Sequence, residues 1–229
     1  AILDTADPTT PTVVSVSSSD TTPEVTGTFD SSDYGGGFTV SLDSVTYTLA
    51  TSNELTNIGN AWTLQITAAI SPDGTYQVVA TATDTAGNPS VDASTGEVVV
   101  DTDVPGLSSV VIDSDNDETA ATAETATNGD VVTISMTADE NINQPTCTFK
   151  MNNVAADDGS VTYTGSAATW TCAITIANAD ANALVTFSIA FSDAAASNAG
   201  VAVTATSDGS SVTVDDTVPT LTSVSIDSN

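Results

Sequence analysis

The chain has 229 residues, of which 30 are aspartate or glutamate, one is basic (Lys150) and none is histidine, for a formal net charge of −29. A field of that sign repels nucleic acid and anionic membrane surfaces, and without histidine no ordinary Ser-His or Cys-His nucleophile can be built. Apolar residues make up 40% of the chain and fall in alternating runs, so the charge does not signal disorder.

Period-2 alternation dominates and predicts an all-β protein. In chain order, strands are expected near residues 12–18, 24–30, 37–42, 45–50, 61–67, 75–83 and 91–100, then near 107–113, 130–138, 145–151, 160–164, 168–176, 183–192 and 199–214, the last interrupted at Asp208-Gly209. Seven strands in about 100 residues is the count of an immunoglobulin-like sandwich of antiparallel strands. Val25, Phe29, Val45, Tyr47, Leu49, Trp62, Leu64, Ile66, Tyr76 and Val78 are expected to build the first core. Val132, Ile134 and Met136, with Val185, Phe187, Ile189 and Phe191, are expected to join the cysteine strands and Trp170 in the second.

Three times an apolar strand runs into an acidic turn that ends in proline: Ile2-Leu3-Asp4-Thr5-Ala6-Asp7-Pro8, Val99-Val100-Asp101-Thr102-Asp103-Val104-Pro105 and Val214-Asp215-Asp216-Thr217-Val218-Pro219. The recurrence predicts a tandem array with one sandwich per repeat. Residues 1–7 read as the end of a preceding repeat and its linker, 8–103 as a first domain and 104–217 as a second. Residues 218–229 read as the first strand of a third, because Leu107-Ser-Ser-Val-Val-Ile-Asp113 returns as Leu221-Thr-Ser-Val-Ser-Ile-Asp227.

The two cysteines are too far apart in sequence for a zinc or redox motif. Cys147 shares a strand face with Phe149 and Met151, and Cys172 shares one with Trp170, Ile174 and Ile176, so both thiols are expected in one core. A buried disulfide is preferred over two free core cysteines, and it implies an oxidising compartment. No run approaches the ~20 apolar residues of a membrane helix, and no membrane insertion is expected of this segment.

The order Gly59-Asn-Ala-Trp-Thr-Leu-Gln-Ile-Thr67, Asp73-Gly-Thr-Tyr76, Asp84-Thr-Ala-Gly-Asn88 and Val100-Asp-Thr-Asp-Val-Pro105 resembles the bacterial immunoglobulin-like domain of giant tandem-repeat surface adhesins, the biofilm-associated type. Residues 24–105 carry the resemblance. The second domain departs from it, reading Asp193-Ala-Ala-Ala-Ser-Asn198 in the loop and placing Val185 where Tyr76 stands. That tyrosine is expected to act as a corner, its ring packed and its hydroxyl tied to nearby backbone.

In such a sandwich the N-terminal linker lies at the same end as the loops joining the second and third strands and the sixth and seventh. For the first domain this would gather Asp4, Asp7, Asp30, Asp33 and Asp84, and for the second Asp101, Asp103, Asp139, Glu140 and Asp193. An oxygen-only set on flexible loops suits calcium, and zinc has no histidine or cysteine set to hold it. Two plainer readings stand beside this one. The acidic surface can be solvation alone, and Asp84 can form an Asx-turn with its own backbone. The run Asp113-Ser-Asp115-Asn-Asp117-Glu118, with Glu124 beyond, reads as an acidic loop, since Glu118 stands where a helix-flanked calcium loop needs glycine.

The function these readings imply is an extracellular, non-catalytic spacer, stiffened by calcium at its junctions, in a surface adhesin. Its partners would be neighbouring repeats of the same or identical chains, with any cell-surface or host ligand bound elsewhere. The rival reading is a subunit of a filament or surface layer, in which Leu221–Asp227 completes a neighbouring sandwich by strand addition. A carbohydrate-binding module would need exposed aromatic rings, and Tyr34 is the one expected.

Overall fold

The computed structural model describes residues 4–35, 37–116, 123–156 and 160–227. They form two compact units, the first comprising 1–103 with 195–198 and the second 104–194 with 199–229. Both are all-β, with no helix among the described residues.

The first unit contains β1 (Thr12–Val13), β2 (Val16–Ser18), β3 (Glu24–Thr28), β4 (Gly37–Leu42), β5 (Val45–Thr48), β6 (Leu55–Ile58), β7 (Ala61–Gln65), β8 (Gly74–Tyr76), β9 (Val78–Thr83), β10 (Pro89–Val91) and β11 (Val98–Val100). One sheet has the order β1-β3-β7-β6; the facing strands pair as β10-β9-β4-β5 and β2-β11-β8. Alternation along β3, β4, β7 and β9 turns Val25, Phe38, Val40, Leu42, Trp62, Leu64, Val78, Ala80 and Ala82 into one core, which Phe29 and Ile66 join. Phe29 stacks on Phe38 at 4.4 Å between ring centroids.

The second unit contains β12 (Leu107–Ser114), β13 (Ala123–Ala126), β14 (Val131–Ala138), β15 (Thr146–Met151), β16 (Val154–Ala155), β17 (Thr162–Ser166), β18 (Thr169–Thr175), β19 (Val185–Ala190) and β20 (Ser211–Val214). Its sheets run β12-β14-β18-β17, β16-β15-β19 and β13-β20. In both units the last strand pairs in parallel with the second, β11 with β2 and β20 with β13. This arrangement of two facing, mainly antiparallel layers makes the chain a tandem of immunoglobulin-like sandwiches. The hairpins β4–β5 and β15–β16 turn on Asp43-Ser44 and Asn152-Asn153, all four with positive φ, as a two-residue turn matched to strand twist requires.

Cys147 on β15 and Cys172 on β18 are disulfide-bonded, with their Cα atoms 6.3 Å apart. The bond joins the two layers of the second unit, and both cysteines lie in its core.

Several expected strands are divided. The run 12–18 becomes β1, which pairs with β3, and β2, which pairs with β11, because the chain crosses between layers at Val14. The run 75–83 breaks at Gln77, and 91–100 breaks between β10 and β11. Those two breaks are stitched together: buried Glu97 accepts the Val78 N–H at 2.9 Å, and the Gln77 side chain accepts the Gly96 N–H at 3.1 Å. Strands β6, β13 and β16 were not expected, and of 199–214 only β20 is a strand.

Val45, expected in the core, is 50% exposed, and Tyr47 and Leu49 are half-buried. Edge strand β5 pairs with β4 alone, and the buried face of that hairpin is Phe38, Val40 and Leu42. Trp170 is half-buried too, packing against the second core from its side. Residues 215–227 form no strand, and Leu221, Val224 and Ile226 are exposed. Asp117 and Glu118 of the acidic run lie outside the described residues.

Candidate metal centre

The carboxylates that converge are set by one strand register. Strand β8 pairs antiparallel with β11, with Val100 opposite Gly74, so one step beyond the ladder brings Asp73 opposite Asp101. Carboxylate oxygens of Asp73, Asp101 and Asp103 lie within 4.8 Å of one another. Asp73 and Asp103 are exposed and Asp101 is half-buried. The turn is tied from both sides. Asp73 Oδ2 accepts the Thr102 N–H at 2.7 Å and its hydroxyl at 2.8 Å, and Asp101 Oδ1 accepts the Asp103 N–H at 3.2 Å. Two unit charges about 4 Å apart repel by roughly 1 kcal/mol in water, so hydration alone tolerates the cluster while a divalent cation would be attracted to it. Three carboxylates supply up to six oxygens on exposed loops, a donor set that fits calcium completed by water.

Two of the acidic turns, this one and the N-terminal one, are also held by amides. Asn88 Nδ2 donates to the carbonyls of Asp4 at 3.3 Å and Ala6 at 3.2 Å. Asn198 Nδ2, within the same unit, donates to the carbonyls of Asp101 at 2.8 Å and Asp103 at 2.7 Å. The last residue of each loop therefore grips the equivalent stretch of each acidic turn, although the second loop lacks the Ala-Gly-Asn sequence.

Of the ten carboxylates expected at cation sites, Asp101 and Asp103 join this group, and Asp4, Asp7, Asp30, Asp33, Asp84, Asp139, Glu140 and Asp193 lie outside it. Asp84 is buried and saturated with donors: Oδ1 accepts the N–H groups of Ala86, Gly87 and Asn88 at 2.7–2.9 Å, and Oδ2 accepts Asn88 Nδ2 at 2.8 Å. The Asn88 side chain, which outweighs the opposing push from burial, holds its carboxyl below the usual aspartate range, and the backbone donors add to that lowering. Asp30 caps its own turn through the Ser32 hydroxyl at 2.7 Å and N–H at 2.9 Å, which likewise lower its pKa. Asp4 accepts the Ala6 N–H at 3.1 Å, and Asp139 accepts the Gly106 N–H at 2.8 Å. Asp193 is fully buried, bridged through its backbone to Ile142.

Asp73 was not among the expected ligands. It sits in the Asp-Gly-x-Tyr corner, whose Tyr76 hydroxyl donates to the Pro72 carbonyl as a tyrosine corner should. Only the β8–β11 pairing reveals that the corner faces the acidic turn. In the second unit the residue three before the corner position is Asn182, a neutral amide. Its Oδ1 accepts the Asp216 N–H at 3.1 Å and its Nδ2 donates to the Thr217 hydroxyl at 3.0 Å. The pin is kept there and the charge is not. Asp216 Oδ1 accepts the Asn128 N–H at 2.6 Å, while its Oδ2 is buried without a hydrogen-bond partner.

No protein-family model matches the sequence, and a search of curated proteins finds no match. Solved structures do match. A chimeric titin fragment carrying an exogenous decorin peptide is 14% identical, with 92% of this chain and 96% of that one covered and a TM-score of 0.36. Rst D1-D2 is 13% identical, with coverage of 92% and 98% and a TM-score of 0.36. An I-band fragment of titin is 10% identical, with coverage of 90% and 63% and a TM-score of 0.42.

Proposed function

We propose that this chain is a non-catalytic, extracellular spacer of immunoglobulin-like repeats, in which calcium bound at the acidic turns stiffens the chain of a bacterial-type surface adhesin. The observation that carries the reading is the convergence of Asp73, Asp101 and Asp103 at the acidic turn that follows strand β11 of the first unit. Calcium there would neutralise the repulsion among three carboxylates and hold the turn in one path, whereas without it the same charges favour opening. Exposed ligands and a shortage of preformed donors place the affinity at the weak end typical of extracellular modules, roughly 10⁻⁴–10⁻³ M. The near absence of Lys and Arg supports the reading, because cations from solution are then the main means of neutralising these carboxylates. Catalysis finds no support in residue types, and the disulfide accords with an exported protein.

The test is calorimetric titration of calcium into the wild type and Asp73→Asn, paired with small-angle scattering in calcium and in chelator at matched ionic strength. Saturable binding lost in Asp73→Asn, with a narrower distance distribution in calcium, supports the proposal. Identical scattering profiles would remove the stiffening.

A second reading, a filament or surface-layer subunit, draws on the exposure of Leu221, Val224 and Ile226, which repeat the spacing of Leu107, Val110 and Ile112 on β12. Such a strand, added to a neighbouring copy, would bury that face. Concentration-dependent growth abolished by deleting residues 218–229 would favour it over the spacer.

A further inference from the structure

Resting on the reading of the chain as a load-bearing spacer, we infer that the Cys147–Cys172 disulfide is a force-gated extension limiter, open to exchange with free thiols only after the second unit has been pulled apart. Three observations combine. First, in each unit the second and last strands are parallel neighbours, with Val16–Ser18 against Val98–Val100 and Ala123–Ala126 against Ser211–Val214. Tension along the chain therefore loads each of these ladders in shear, all hydrogen bonds at once. Second, the disulfide lies on neither of the second unit's loaded strands. It joins β15 to β18 across the layers, so it does not reinforce the ladder that must yield, and it limits only the extension gained after that ladder has parted. Third, Cys147 is 3% exposed and Cys172 0%, so no thiol in solution reaches the sulfurs in the folded unit.

Once β13 and β20 part and the core opens, the bond still short-circuits the 25 peptide steps between its ends. Stretched, that segment would span about 80–90 Å at ~3.3–3.6 Å per residue, whereas the bonded Cα atoms stay near their separation of 6.3 Å. The second unit thus extends by about 80 Å less than its length allows. The exposed bond can then be opened by a thiolate, which forms a new S–S bond to one cysteine sulfur while the Cys147–Cys172 bond breaks and the other cysteine leaves as a thiolate. That first exchange already frees the whole segment, and a second thiolate then takes the first from the mixed disulfide, forming an S–S bond with it and leaving the remaining cysteine as a thiolate. The first unit contains no cysteine and has no such limit.

The experiment holds the 229-residue chain by its two ends at constant force, with and without dithiothreitol. Two unfolding steps are expected. The first unit's step is unchanged by reductant. The second unit's step is followed, in reductant alone, by a separate later lengthening of about 80 Å. An absence of that later step overturns the limiter. Alkylation of both cysteines in the unloaded, folded protein by iodoacetamide with dithiothreitol overturns the gating. Cys147→Ser with Cys172→Ser should show the full length in one step; if that variant does not fold, the wild-type comparison decides alone. Failure of the spacer reading would appear in the calcium scattering and leave these steps intact.

Discussion

Asp73 Oδ2 accepts two hydrogen bonds from Thr102, one from its backbone N–H and one from its hydroxyl, across 29 residues of sequence. The same carboxylate belongs to the Asp73, Asp101 and Asp103 group, so it pins the turn and charges it at once. Substitution separates the two roles. Asp73→Asn keeps an acceptor for Thr102 and removes a charge, as Asn182 does in the second unit, whereas Asp73→Ala removes both. Without calcium, Asp73→Asn should melt no lower than wild type and Asp73→Ala several degrees lower. Millimolar calcium should raise the wild-type melting temperature alone. A calcium-induced rise of equal size in Asp73→Asn, followed by calorimetry, would strike Asp73 from the ligands.

Acid should act through the capping aspartates. Asp20, Asp30, Asp84, Asp208 and Asp215 are all held below the usual range by hydrogen bonds to their own turns. Unfolded aspartates take up protons near pH 3.9, and these native ones do so only at lower pH, so the unfolded state binds more protons in between. Their contribution is present above about pH 4 and is lost as pH falls through the folded values. Asp84→Ala should lower the first unit's melting temperature at pH 7 and make it less sensitive to acid below pH 4. A variant with an unchanged acid limb would show that the cap contributes nothing.

Tyr76→Phe removes the hydroxyl bond to the Pro72 carbonyl and leaves the ring packed. The expected cost is about 1 kcal/mol, or roughly 4–8 °C in a domain of this size. Only the first unit's thermal transition should move, because Val185 occupies the corresponding place in the second. Displacement of both transitions would refute that assignment.

Gly27→Ala tests why a glycine interrupts a core strand. A Cβ there would stand 1.9 Å from the Thr12 carbonyl oxygen and 2.5 Å from Trp62 Cζ2. Trp62 is fully buried and its Nε1 donates to that same Thr12 carbonyl at 3.2 Å, so neither neighbour yields freely. Overpacking of this kind costs about 1–3 kcal/mol. In a Trp170→Phe background, denaturant unfolding read by the remaining indole should shift to lower midpoint. An unmoved midpoint would mean the strand shifts to make room.

Period-2 alternation and the thrice-repeated acidic turn were enough to read all-β units in tandem, because burying one face of a strand writes itself directly into sequence parity. The same parity placed Cys147 and Cys172 in one core, and the family resemblance that Asp73-Gly-Thr-Tyr76 helps to carry pointed to the tyrosine corner, a local contact four residues long. Local chemistry also contained the Asx-turn at Asp84, one of the two readings of that residue. The crossing at Val14, the exposure of Val45 at a sheet edge and the meeting of Asp73 with Asp101 were not legible. Each depends on which strand lies beside which and in what register, and alternation is silent on both. Asp73 joins the acidic turn because β8 and β11 pair with Gly74 opposite Val100. Sequence alone determined which residues would be acidic, apolar or capping, and the tertiary pairing decided which carboxylates would face one another.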